Sequence, residues 1–212
     1  FLEKLEKNKI FINELKEFTN KFPREFEMKR ILGDKYRKLK NYEQAIDVYS
    51  QLIENDKLEG TSNILYSRGI SYEQIKNWEK AEQDFKRSLD LNPNDPYVMN
   101  YLAYSWLDRK MNIDKALELL KKAVDLEPSD GYIRDSLGWA YFLSKKFEES
   151  VYHLEKAVVM LPTDATLNDH LGDAYWMSNR KSEALSQWKK VLVIDPDYKD
   201  KNLIQKKINK GL

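Results

Sequence analysis

Three interleaved registers of small residues and prolines recur with a period of about 34, and they constrain the fold more than any other feature of the chain. Gly33, Gly69, Ala103, Gly138 and Gly172 lie 36, 34, 35 and 34 residues apart. Ala45, Ala81, Ala116, Ser150 and Ala184 follow at 36, 35, 34 and 34. Pro93, Pro128, Pro162 and Pro196 are separated by 35, 34 and 34. One period shared by three registers marks stacked helix–turn–helix units, each too small to bury its apolar face alone.

Large residues keep the same beat. Three positions after each member of the first register stands an aromatic: Tyr36, Tyr72, Trp106, Tyr141 and Tyr175. Four after each member of the second stands a large apolar residue: Tyr49, Phe85, Leu120, Leu154 and Trp188. These spacings put each set on one helical face. The small residue lets two helix backbones approach and the bulky one fills the groove beside it. Asn92-Pro93, Glu127-Pro128, Leu161-Pro162 and Asp195-Pro196 end the second helix of the last four units, because the residue before proline leaves the helical region.

Leu32-Gly33…Tyr36, Leu137-Gly138…Tyr141 and Leu171-Gly172…Tyr175, each followed by a small residue and a large residue four positions on, and the last two also by a proline, resemble the tetratricopeptide repeat pattern. The pattern's leading tryptophan is replaced by Lys29, Leu65, Met99, Arg134 and Asn168, at a position that varies widely in that family. The resemblance covers nearly the whole chain. It implies an all-α, right-handed α-solenoid of five repeats, at 26–61, 62–95, 96–130, 131–164 and 165–197. The third repeat carries an extra residue in its turn, between Arg109 and Ile113, and the first carries two near Gly60 and Thr61.

The ends follow the same beat. Pro23 stands 70 residues before Pro93, in register. Residues 1–25 are therefore expected to be a partial repeat: the last turn of a first helix at 1–5, then a second helix with Phe11, Leu15 and Phe18 in its core. On this reading the native protein extends further upstream. Residues 198–212, with Leu203, Ile204 and Ile208 among lysines, are the expected capping helix, apolar on one side and solvated on the other.

Composition removes several classes of function. With 36 Lys+Arg against 35 Asp+Glu the net charge is +1, which argues against a nucleic-acid partner. No apolar run approaches the roughly 20 residues of a membrane span, so no direct membrane insertion is expected within this chain. The absence of cysteine excludes disulfides, cysteine-based metal sites and thiol catalysis. No phosphate loop or nucleophile elbow occurs. The two histidines are His153, read as a surface or packing residue, and His170, which with Asp169 and Asp173 would form only a weak ligand set. No cofactor, no metal and no enzymatic activity are expected.

What remains is surface. In tetratricopeptide arrays the first helices line a concave face, and their non-core positions meet the ligand. Applied to this sequence, that rule gathers Tyr97, Asn100, Tyr104, Tyr132, Asp135, Trp139, Phe142, Asp169, Asp173 and Trp176 into a candidate peptide-binding groove. Aromatics beside acids suit an extended or helical partner segment with apolar anchors and a Lys or Arg. Packing between neighbouring helices is the favoured role for Tyr97 and Tyr104. Ligand contact is favoured for Trp139 and Trp176, because Tyr141 and Tyr175 already serve the core beside them. Asp135, Asp169 and Asp173 would orient the partner and favour a cation. Arg30, Arg37 and Lys38 in the first repeat would make the other end of the groove basic. The Lys and Asn clamp of chaperone-binding members is not matched, since the corresponding places hold Arg30 and Asp34, Tyr66 and Ser67, Tyr97 and Tyr101.

Tyr101 to Arg109, Asp135 to Trp139 and His170 to Trp176 are also similar to the C-terminal arrays of bacterial envelope tetratricopeptide proteins. That narrower resemblance implies a periplasmic or envelope adaptor for a protease or cell-wall enzyme, with the cytoplasm as the alternative compartment. An architectural or self-associating segment of a larger protein is the other functional class.

Overall fold

The computed structural model describes residues 2–54 and 60–212, with side chains at residue 6 and from residue 8 onward. The described residues form helices and turns without strands. They fall into two compact units, Phe1–Pro93 and Asn94–Leu212.

In the first unit α1 (Leu2–Lys21) precedes two helix pairs, α2 (Phe26–Lys38) with α3 (Tyr42–Ile53) and α4 (Thr61–Gln74) with α5 (Trp78–Leu91). Where a broken pair was expected over 1–25, the backbone from Leu2 to Lys21 is one continuous helix. Of its three expected core residues, Leu15 is buried, whereas Phe11 and Phe18 remain exposed. Residue 1 and residues 55–59, where the first repeat's longer exit loop was expected, lie outside the described residues.

The second unit holds α6 (Pro96–Asp108) with α7 (Ile113–Leu126), α8 (Gly131–Leu143) with α9 (Phe147–Met160), α10 (Ala165–Met177) with α11 (Lys181–Ile194), and α12 (Lys201–Lys210). The first helices of the pairs are neighbours, α6 against α8 and α8 against α10, and α12 packs on α11.

The start of each first helix in this unit follows from its cap. Asp95, Asp130 and Asp164 stand two residues after a proline, and each accepts two backbone N–H bonds of the first turn. These satisfy donors that have no partner within the helix, and the negative charge sits at the positive end of the helix dipole. The turns inside the pairs close on the aromatic register. The N–H groups of Asn41, Asn77, Met111, Lys146 and Arg180 donate to the carbonyls of Tyr36, Tyr72, Trp106, Tyr141 and Tyr175. Lys40, Lys76, Lys110, Lys145 and Asn179 take left-handed conformations to allow it. The extra residue of the third turn is absorbed by a second left-handed residue, Asn112.

The small–large pairing is steric. A Cβ on Gly138 would lie 2.6 Å from Leu154 Cγ, and one on Gly172 would collide with the indole of Trp188. Leu154 and Trp188 are fully buried, as are Ala116, Ala157 and Ala184. The core of the second unit thus runs along the seam between first and second helices and extends to Ile204 of α12. It leaves the outer faces of α6, α8 and α10 to other uses.

Candidate peptide-binding groove

The ten groove candidates all fall on the adjacent helices α6, α8 and α10, and they divide into three groups.

Tyr97, Tyr104 and Tyr132 stand in solvent, at 52%, 37% and 55% exposure. With Asn100, Asp135, Ser136, Asp164, Thr166 and Leu167 two of them, Tyr104 and Tyr132, border a cleft of about 270 Å³ spanning α6, α8 and α10. Burial raises the Tyr104 phenol above its usual pKa, and the carboxylates of Asp135 and Asp108 push it the same way.

The second group is a stack. Trp139 lies half-buried, with its ring 4.3 Å from His170 and 4.7 Å from Phe142, nearly parallel to both. His170 is buried, and its Nδ1 is 3.0 Å from both carboxylate oxygens of Asp135. Burial alone would lower the His170 pKa; the adjacent Asp135 outweighs it and leaves it raised. Asp135 therefore already faces the ring of His170. That pairing spans 35 residues, one repeat plus one position, and the reading that joined His170 to Asp169 and Asp173 missed it.

The third group is occupied from within. Lys207 of α12 is buried, and its ammonium donates to Asp169 Oδ1 at 2.7 Å and to Asp173 at 2.7 and 2.9 Å. Trp188 Nε1 adds a bond to Asp173 at 3.0 Å. Burial raises the Asp173 pKa against the pull of Lys207. Burial works to lower that of Lys207, and Asp173 and Asp169 more than reverse it. The cation expected from a partner at these acids is supplied by the chain itself, on a helix side expected to be solvated. Beside them Trp176 tilts on Trp188 at 5.5 Å, with the Lys181 ammonium over its ring at 5.2 Å. Gly211 lies so close that a Cβ there would overlap the indole.

Tyr97 and Tyr104, for which packing was favoured, are thus exposed together with Tyr132, whereas Trp139 stacks on His170 and Phe142 and Trp176 tilts on Trp188. Arg30 in the first unit is likewise held by carboxylates, Glu27 at 3.0 Å and Asp34 at 3.4 Å. Among the described residues no set of three or more His, Asp or Glu side chains is arranged to hold a metal ion, and no helix is long and apolar enough to cross a membrane.

Profiles of the tetratricopeptide repeat family match residues 32–57, 62–95 and 107–165. The chain belongs to the tetratricopeptide repeat family. Among curated proteins, the mitochondrial import receptor subunit TOM70 of Rattus norvegicus and that of Homo sapiens are each 34% identical over 64 residues. The match takes in 29% of this chain and 10% of the receptor subunit, so the chain spans about a tenth of those relatives. Among solved structures, MamA 41-end from Desulfovibrio magneticus RS-1 superposes with a TM-score of 0.70 at 21% identity, covering 82% of this chain and 96% of that one. Cut9, in the APC/C hetero-tetramer Cut9-Hcn1, gives a TM-score of 0.80 at 17% identity, covering 98% of this chain and 40% of the other. At these identities the likeness is one of fold, and the tetratricopeptide repeat chain is all-α as its registers imply.

Proposed function

We propose that this chain is a non-enzymatic protein-interaction scaffold, and that the first-helix face of residues 94–212 holds an extended or helical segment of a partner protein. The observation that supports the reading is the exposure of Tyr97, Tyr104 and Tyr132 on α6 and α8, the last two of them bordering a cleft. Amphipathic rings of few rotatable bonds supply contact area at low entropic cost, and they are enriched where interfaces gain their energy. Trp139, Phe142 and Trp176, each half-buried, form the wall of the groove further along. Asp135 contributes at its floor, while Asp169 and Asp173 shape its far end through Lys207. The named relatives fit such a role: TOM70 is a receptor subunit, and Cut9 is seen assembled with Hcn1.

The finer reading is an adaptor in the bacterial envelope that brings a protease or a cell-wall enzyme to its site of action, supported by the likeness of 101–109, 135–139 and 170–176 to arrays of that kind. The deciding experiment is affinity capture with this chain beside its Tyr97→Ala/Tyr104→Ala/Tyr132→Ala variant, with bound proteins identified by mass spectrometry. A protein retained by the parent and lost by the folded variant supports the groove. Equal capture by both would sink it.

A second reading, self-association, draws on α1, where Ile10, Phe11 and Phe18 are each at least 40% exposed. Light scattering across a concentration series would show dimers if it holds, and a Phe11→Glu/Phe18→Glu variant would abolish them.

A further inference from the structure

Tyr97 and Tyr132 occupy one position in two successive repeats, six residues before the small residues Ala103 and Gly138. Both side chains are more than half exposed. Packed helices lie about 8–10 Å apart, and α6 packs against α8, so the two rings offer anchors at about that interval. In α10 the same position is Thr166, which ends the row at two rungs. Two helical turns along α6 from Tyr97 stands Tyr104, also exposed. Its counterpart on α8, Trp139, is held in its stack with His170 and Phe142.

An interval of this size discriminates between ligand backbones. A polyproline II helix rises about 3.1 Å per residue with three residues per turn, so residues i and i+3 face the same way about 9 Å apart. In a β-strand, residues sharing a face recur at about 6.6 and 13 Å, on either side of the interval. An α-helix brings i and i+7 to one face about 10.5 Å apart, but its body is about 10–12 Å across. The cleft that Tyr104 and Tyr132 border holds about 270 Å³, room for side chains and too little for a helix.

The charge of the cleft lining selects in the same direction. Its two carboxylates are engaged within the chain, Asp135 with His170 and Asp164 with the first-turn N–H groups of Thr166 and Leu167. No lysine or arginine is among the lining residues, and Ser136 Oγ donates to the Tyr132 carbonyl. What meets a ligand is a neutral surface of rings with phenol hydroxyls as donors. Proline complements it, being apolar, uncharged and without an N–H, while polyproline II leaves its carbonyls free to accept. Such a helix is preformed, so aromatic surfaces bind it at low entropic cost.

We propose that the partner segment is a proline-rich polyproline II helix, with prolines at i and i+3 packed on Tyr97 and Tyr132 and carbonyls accepting from the phenols of Tyr104 and Tyr132. This rests on the reading of the first-helix face as a peptide groove, and it adds the backbone and the spacing that the groove selects.

The test is selection of random peptides displayed on phage against the whole chain, followed by titration of synthetic copies of the winners. Winners should carry two prolines separated by two residues and give the circular dichroism of polyproline II. Inserting one glycine between those prolines should weaken binding about tenfold or more, and so should Tyr97→Ala or Tyr132→Ala in the protein. Tyr152→Ala, an equally exposed tyrosine on the second helix α9, should leave binding unchanged. Winners that are lost on Tyr97→Ala/Tyr132→Ala but lack the spaced prolines, or tolerate the inserted glycine, would overturn the polyproline II reading and leave the groove standing. If no selected peptide is lost on that double variant, the groove falls and this inference with it.

Discussion

Lys207 Nζ lies 2.7 Å from Asp173 Oδ1, with both side chains buried, and the same ammonium reaches Asp169. This contact ties α12 to α10 across 34 residues, the period of the repeat. α12 therefore occupies the place of another first helix, and its buried lysine holds acids of α10 as His170 holds Asp135 of α8.

Buried ion clusters add little net stability while intact, because desolvation offsets most of the attraction, but removing one member leaves uncompensated charge. Lys207→Met should therefore destabilise the second unit by about 3 kcal/mol and lower its Tm by several degrees. Lys206→Met, one residue away on an exposed position of the same helix, should leave Tm nearly unchanged. Equal melting of Lys207→Met and the parent would show that the ammonium does not hold α12.

The His170–Asp135 pair makes stability depend on pH with a defined sign. Burial disfavours the imidazolium, Asp135 more than restores it, and the folded pKa ends above the ordinary value of about 6.5. A raised folded pKa means that the native state binds the proton more tightly than the unfolded chain. The stabilisation is thus complete below about pH 6.5 and is lost as pH rises through the folded value. Thermal melts between neutral and mildly alkaline pH should show a falling Tm that Asp135→Asn flattens. Direct titration of the imidazole by NMR should give a midpoint above that of His153, which burial and the neighbouring cations Arg134 and Lys156 push down to about 4.

Trp139 distinguishes support from contact. Its ring is sandwiched between His170 and Phe142, so Trp139→Ala should cost about 2–4 kcal/mol of stability and release the imidazole from its stack. Tyr97→Ala should cost less than about 0.5 kcal/mol while weakening partner binding. Denaturant melts of the two variants check both. A Trp139→Ala protein as stable as the parent would return that indole to the role of a free anchor.

The fold was legible because its determinants are local and repeat: a glycine that admits Leu154 or Trp188 imposes a spacing that any one unit displays. The ten candidate residues were legible by their shared helices and illegible by exposure. Whether a residue on a first helix meets solvent depends on what the next helix brings, and that is a single side chain read across a whole repeat. His170 brings a flat ring to Trp139, α12 brings Lys207 to two acids and Gly211 lies against Trp176, whereas Tyr97 and Tyr132 remain exposed. The faint signal was a cation or imidazole set one repeat after an acid, at His170 and again at Lys207. α1 resisted for a related reason, since Phe11 and Phe18 obey the register and yet stay exposed among the described residues.

Ser150 is the one departure from alanine in its register, beside Ala45, Ala81, Ala116 and Ala184, all fully buried. Its side chain is equally buried, and its hydroxyl has no hydrogen-bond partner among the described residues. Burying a hydroxyl without a partner costs the desolvation of that group, while the methyl of alanine fills nearly the same space. Ser150→Ala should therefore stabilise the protein by about 1 kcal/mol and raise its Tm. The reverse change at the equivalent position, Ala116→Ser, should lower stability by a similar amount. Calorimetry of the two variants gives opposite signs if the register demands a small apolar residue. A Ser150→Ala protein that melts below the parent would mean that the hydroxyl is bonded in solution, and the register would then tolerate polarity at this seam.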